Sequence, residues 1–191
     1  MTTRLLALCG SARRESINRR LLEVSVAIAR EQEAEVTLFD LPADTLPLYD
    51  GDLEDTMGLP SAVMALKAEF LSHDGLVIAS PEYNGFFSPL LKNAIDWVSR
   101  PVPGAASPFA GKTAVLVSAS TGTLGGIRGL PHLRLLLSNL GVIVAPGQMA
   151  LALADKAYGE DGNLLPSQRA MLQKCMADFV QLTRCIHPRL T

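Results

Sequence analysis

Leu5-Leu6-Ala7-Leu8-Cys9 runs directly into Gly10-Ser11-Ala12-Arg13-Arg14-Glu15-Ser16-Ile17-Asn18, and an amphipathic stretch follows with Arg19-Arg20-Leu21-Leu22. The order is apolar strand, polar turn, helix. Such a junction aims a helix N-terminus at whatever occupies the turn, offering unpaired backbone N–H groups and a partial positive charge. Ser11, Arg13, Ser16 and Asn18 add side-chain donors at the same place. The stretch therefore reads as a phosphate cradle at the carboxyl end of a first strand. The same Ser and Asn residues also suit a helix cap with a polar loop, and this segment by itself leaves both readings open.

Outward from it the alternation repeats. Strand patterns fall at Arg4–Cys9, Glu35–Phe39, Gly75–Ala79, Thr113–Ser118 and Val142–Ala145. Several are apolar almost throughout, as in parallel strands buried on both faces. Helical patterns lie near Ser16–Glu31, Pro60–Ser72, Pro89–Ser99, a segment ending near Asn139, and Ser167–Cys185. In the first of these Ile17, Leu21, Leu22, Val24 and Ile28 share one face. Five strands with interleaved helices define an α/β fold, a doubly wound parallel sheet with helices on both faces. Asp40–Leu59 reads as a long surface loop, and Gln148–Leu165 as an extension with a polar turn at Gly159-Glu160-Asp161-Gly162-Asn163. No repeat or linker interrupts the pattern, so residues 1–191 form one domain.

The chain is 48% apolar and 19% charged, which suits a filled core, and its net charge of -2 gives no nucleic-acid footprint and no polybasic membrane patch. Cys9, Cys175 and Cys185 form neither a metal-like pair nor a disulfide framework, which points to a reducing cytoplasm. His73, His132 and His187 are isolated, so no metal site is expected.

In an open α/β sheet, ligands settle beyond the carboxyl ends of the strands, where the winding reverses. After strand three comes Ser80-Pro81-Glu82-Tyr83-Asn84-Gly85-Phe86-Phe87-Ser88-Pro89. Pro81 and the turn dipeptide Asn84-Gly85 fix its backbone, and Tyr83, Phe86 and Phe87 offer aromatic surface to a flat ligand. The loop after strand four, Ser118-Ala119-Ser120-Thr121-Gly122-Thr123-Leu124-Gly125-Gly126, suits close backbone approach by a ring or phosphate. It lacks Gly-x-Gly-x-x-Gly spacing. Gly111-Lys112-Thr113 is no P-loop, because it precedes its strand and Ala106 replaces the first glycine. Ser11 also lacks the Gly-x-Ser-x-Gly elbow of hydrolases.

Taken together, Gly10-Ser11-x-Arg13-x-x-Ser16-x-Asn18, Pro81-Glu82-Tyr83-Asn84-Gly85, Leu91-Lys92-Asn93-Ala94-Ile95-Asp96-Trp97 and Gly125-Gly126-x-Arg128 resemble the NADPH-dependent FMN reductase family, over residues 4 to 147. The resemblance implies a flavodoxin-like fold with five strands. Ser11, Arg13, Ser16, Ile17 and Asn18 would hold the FMN phosphate. Pro81, Glu82, Tyr83, Asn84 and Gly85 would lie along the isoalloxazine, and Ser118, Ser120, Gly122 and Gly125 would border its other side. FMN is the implied cofactor, with NADPH or NADH as electron donor and a quinone, azo compound, chromate or free flavin as acceptor in a ping-pong cycle. No catalytic protein residue is required, since the flavin carries the chemistry. The alternatives are a flavodoxin-type electron carrier and a non-catalytic FMN-binding regulatory module. The resemblance also implies a homodimer or homotetramer, with the 40–59 loop near a neighbour's flavin. Arg100, Arg128 and Lys112 are each available to a 2′-phosphate, and no motif places any of them. Two local features stand apart: Arg14-Glu15 reads as an additional ion pair or as solvated charge, and Pro131 is expected to delay or bend its helix. Asp96 and Trp97 are read as structural, and Lys92, Asn93 and Asp96 as surface or interface residues.

Overall fold

β1 (Arg4–Cys9) lies inside the sheet and is apolar on both sides: from Leu5 to Cys9 every residue is buried. A computed structural model describes residues 2–41 and 46–188. Alternate side chains of β1 enter different cores, as a two-residue period requires. Leu5, Ala7 and Cys9 pack against α1 (Ile17–Glu31) and α6 (Pro166–Ile186), whereas Leu6 and Leu8 pack against α3 (Ser61–Ser72), α4 (Pro89–Ser99) and α5 (Gly129–Asn139). The remaining sheet strands are β2 (Glu35–Phe39), β3 (Gly75–Ala79), β6 (Thr113–Ala119) and β7 (Ile143–Leu151). All pairings are parallel and the order is β2-β1-β3-β6-β7, the flavodoxin-like arrangement. The winding reverses between β1 and β3. Cys9 stands opposite Ala79, and Ala79 opposite Val117, so these strands end nearly level.

Three expectations need correction. The stretch 40–59 is not all loop: Gly51–Met57 is a short helix, α2, and part of the remainder (42–45) lies outside the described residues. Asp50 caps α2 by accepting from Asp52 N, and Asp52 and Glu54 sit in its first turn, where the helix dipole favours negative charge. Second, the segment after strand three contains a hairpin, β4 (Glu82–Tyr83) and β5 (Phe86–Phe87). Third, the last strand does not stop at Ala145. A bulge between Val144 and Gln148 interrupts pairing, which resumes to Leu151. The Arg134 guanidinium satisfies the bulge by donating to the carbonyls of Val144 and Ala145 and to Gln148 Oε1. As expected, Pro131 leaves a late start: α5 begins only at Gly129, so the proline falls in its first turn, where no helical N–H is needed.

Asn93 is likewise buried, not a surface residue. Its amide accepts from Tyr49 N and donates to the Pro47 carbonyl, which also accepts from Trp97 Nε1. These bonds fasten the 46–50 segment to α4. Lys92 and Asp96 pair with each other one turn apart. Arg14 and Glu15 are exposed and form no ion pair among the described residues; Arg19 pairs instead with Glu23 and Asp40.

Close packing of α6 depends on Gly75, where a Cβ would meet Thr113 Oγ1 at 2.5 Å and Phe179 Cζ at 3.2 Å. Gly75→Ala is expected to cost about 1–3 kcal/mol through overpacking. Equilibrium urea denaturation measures this, and an unchanged midpoint would show that Phe179 and Thr113 move aside freely.

Candidate functional site

Ser16 closes the N-terminus of α1: its backbone is extended and its hydroxyl accepts from Arg19 N at 3.1 Å. That leaves the N–H groups of Ile17 and Asn18, the first residues of the helix, without helical carbonyls. Ser11 lies across the turn, accepting a long bond from Arg13 N (3.4 Å). The Arg13 guanidinium is exposed and unpaired among the described residues. Beneath the turn, burial raises the Cys9 thiol, so it stays protonated and acts as packing.

Asn18 is 2% exposed and serves a different purpose. Its Oδ1 accepts from Ala119 N (2.9 Å) and its Nδ2 donates to Ala119 O (3.0 Å), tying α1 to the end of β6. One amide thus holds the first and third loops together.

The second loop is stiffened by its hairpin. Asn84 (φ 54) and Gly85 (φ 82) both have positive φ, the backbone of a type I′ turn. Ser80 Oγ accepts from Ser88 N at the loop's base. Of the three aromatic residues, Tyr83 faces the site. Phe87 is buried in the core, and Phe86 stacks on Phe87 and on His132 of α5. The expected aromatic platform is therefore Tyr83, with Phe86 and Phe87 holding the hairpin in place.

Two adjoining hollows result. The first, about 180 Å³, is lined by Ser11, Arg13, Ser16, Ile17, Asn18, Pro81, Glu82, Tyr83, Ala119, Ser120 and Thr121. The second, about 270 Å³, shares Glu82 and Ser120 and adds Asn84, Gly122, Thr123, Leu124, Gly126 and Arg128. Of the sequence-derived site residues, Gly85, Ser118 and Gly125 line neither. Gly85 makes the hairpin turn. Ser118 is fully buried under Gly126, its hydroxyl without a hydrogen-bond partner. Gly125 lies against the backbone of Ala150, where a Cβ would come within 2.7 Å. The sequence reading did not single out Ala119, Thr121, Thr123, Leu124 and Gly126 as lining residues. Their position directly beside chosen neighbours was the available signal.

Glu82 holds the second and third loops together. Its side chain is 7% exposed and pairs with Arg128. Burial alone would raise its pKa, but hydrogen bonds from the Arg128 side chain and from Gly129 N and Arg128 N outweigh it and keep it below the ordinary carboxylate value. Of the three cations available to a 2′-phosphate, Arg128 alone borders either of these two hollows. Arg100 pairs with Glu54 over the Tyr49 ring, and Lys112 donates to the His73 carbonyl at the opposite end of the sheet.

A helix N-terminus beside an unpaired guanidinium, opening into a slot between two stiff loops at the winding reversal, defines a flavodoxin-like nucleotide site. Residues 3–156 match the family model described as NADPH-dependent FMN reductase, and the chain belongs to that family. It is 36% identical over 163 residues to a quinone reductase of Escherichia coli (strain K12), covering 84% of each chain. It is 33% identical over 180 residues to an NAD(P)H-dependent FMN reductase of Pseudomonas aeruginosa, covering 94% of each. Among solved structures, a flavoenzyme NAD(P)H:(acceptor) oxidoreductase from Paracoccus denitrificans superposes with TM-score 0.83 at 26% identity, over 96% of this chain and 98% of that one. No described helix is long and apolar enough to cross a membrane.

Proposed function

We propose that the protein is a cytoplasmic NAD(P)H-dependent FMN oxidoreductase that reduces small acceptors of the quinone class. The observation that carries this is the joined pair of hollows, with its donors concentrated at one end and Tyr83 at its wall. Family membership and the quinone reductase relative support it. The donor set fits FMN: hydroxyls, free helix N–H groups and a guanidinium suit a phosphate dianion, and the slot between loops two and three suits a flat ring.

In this reading Ser11, Arg13, Ser16 and the N–H groups of Ile17 and Asn18 hold the phosphate. Asn18 does so through its backbone, because its side chain is committed to Ala119. Pro81, Glu82, Tyr83 and Asn84 form one wall of the ring slot, with Gly85 supplying the turn behind it. Ser120 and Gly122 form the opposite wall, with Ser118 and Gly125 as its buried support. Bound FMN would accept hydride from NAD(P)H and pass electrons to the acceptor, so the chain needs no nucleophile or acid–base pair. Its residues contribute placement, and backbone dipoles fixed before reaction begins. The chain is also proposed to form a homodimer or homotetramer through the 46–59 region, where Leu48 (78%) and Met57 (76%) are unusually exposed.

Anaerobic addition of NADPH or NADH to the FMN-loaded protein is expected to bleach the flavin rapidly, and a quinone to restore its colour. Slow or absent bleaching would instead indicate an electron carrier or a regulatory module. A helix dipole supplies about 0.3–1 kcal/mol, whereas a charged hydrogen bond is worth roughly 1.5–3 kcal/mol. Arg13→Ala should therefore weaken FMN binding at least about tenfold, and an unchanged dissociation constant removes the arginine from the phosphate site. Light scattering at assay concentration should give twice or four times the chain mass; a monomer would end the oligomer proposal.

A further inference from the structure

We propose that the Glu82–Arg128 pair sets the width of the ring slot, which makes Glu82 a positioning residue for the flavin. The inference rests on the FMN reading above. Glu82 is the first residue of β4 and borders both hollows. Its carboxylate accepts three hydrogen bonds from a segment 46 and 47 positions away. Arg128 N (2.9 Å) and Gly129 N (3.1 Å) donate to one oxygen and Arg128 Nε (2.7 Å) to the other, which Arg128 Nη2 also approaches at 2.6 Å as an ion pair. Arg128 is the N-cap residue of α5 and makes no side-chain cap bond of its own. Glu82 therefore caps that helix from a different loop, and its charge is favourable at the helix N-terminus.

The placement gives this cap a mechanical role. The third loop leaves β6 and is pinned at its start by Ser120 N to Leu151 O, Ala154 N to Ser120 O and Leu153 N to Gly122 O. Its far end enters α5 beneath Arg128. Between those points it forms one wall of the second hollow, and the hairpin carrying Glu82 forms the other. The hairpin also packs on α5 through Phe86 and His132, but that stack is apolar and lies outside both hollows. The pair is a polar tie that bridges the slot walls. One carboxylate oxygen is held by the guanidinium and the other by two backbone N–H groups, so direction as well as distance is fixed.

The test compares Glu82→Gln, Arg128→Ala and Arg128→Lys with the full-length wild-type protein. Dissociation constants for FMN and for riboflavin are measured by flavin fluorescence quenching, with the visible spectrum of the bound flavin and far-ultraviolet circular dichroism to check folding. Glu82→Gln is expected to weaken FMN and riboflavin by the same factor, about tenfold or more, and to alter the visible bands. A loosened slot affects the ring whether or not a phosphate is attached. Arg128→Ala should have the smaller effect, because the backbone donors of residues 128 and 129 remain, and Arg128→Lys should recover part of the loss. Wild-type affinities and spectra in folded variants would reduce the pair to a plain helix cap. A loss confined to FMN would assign Glu82 to the phosphate end, and either result overturns the proposal. If Glu82→Gln does not fold, Arg128→Ala decides by the same criteria. A wild-type chain that binds neither flavin sinks the FMN reading itself, whatever the variants do.

Discussion

The side-chain amide of Asn18 pairs with both backbone groups of Ala119, and the whole rim is organised around that contact. Ala119 is the last residue of β6, so its N–H and C=O face a gap where the sheet runs out. Left unpaired at 3% exposure they would be costly, since buried polar groups without partners lose their hydration and regain nothing. Asn18 supplies one donor and one acceptor with the right geometry. In doing so it fixes the first turn of α1 relative to the loop that follows β6. Asn18 therefore acts as a brace that orients the N-terminus of α1 toward the slot.

A second brace, from Glu82 to the start of α5, completes a chain of contacts running from loop one through loop three to loop two. The two braces differ physically. The first is neutral and wholly buried. The second is ionic, with its guanidinium 62% exposed, where solvent weakens pairing and its worth rests on geometry and on the backbone donors. The loops that approach the ligand are thus joined to one another, in addition to being joined to their own strands.

Most of the scaffold was legible because its physics is local. The runs Leu5–Cys9, Gly75–Ala79 and Thr113–Ser118 are apolar on both faces, and only a central parallel strand wants that. The Ser16 cap and the apolar face of Leu21, Leu22 and Ile28 announce α1 in the same way. Misreadings arose where a stretch carried two signals. Asp40–Leu59 reads as a surface loop, yet Asp50, Asp52 and Glu54 stand at a spacing that also starts a helix, as they do in α2. The pattern of the last strand ends at Ala145, just before Pro146-Gly147, although Arg134 bonds the carbonyls there and pairing resumes beyond. At the site, the motif residues identified the three loops and the cradle. Which glycines face the hollow depends on packing against Ser118 and Ala150, and the role of the Asn18 side chain on a contact 101 residues away, none of which a local pattern encodes.

The Pro47 carbonyl, held by both Asn93 and Trp97, has a consequence for how this scaffold diversifies. Those donors sit on α4, which starts directly behind the hairpin, so residues 46–50 are anchored to the rigid frame. Immediately afterwards comes α2, which has no buried residue at all. Beyond Asp50 the chain is held from its inner side only, by Leu53 against the core and by Glu54 to Tyr49 and Arg100, so a change on the outer face of α2 leaves the frame unstrained. That flank can therefore be remodelled, and with it whatever approaches from that side, while the strands and the three loops at the rim stay as they are.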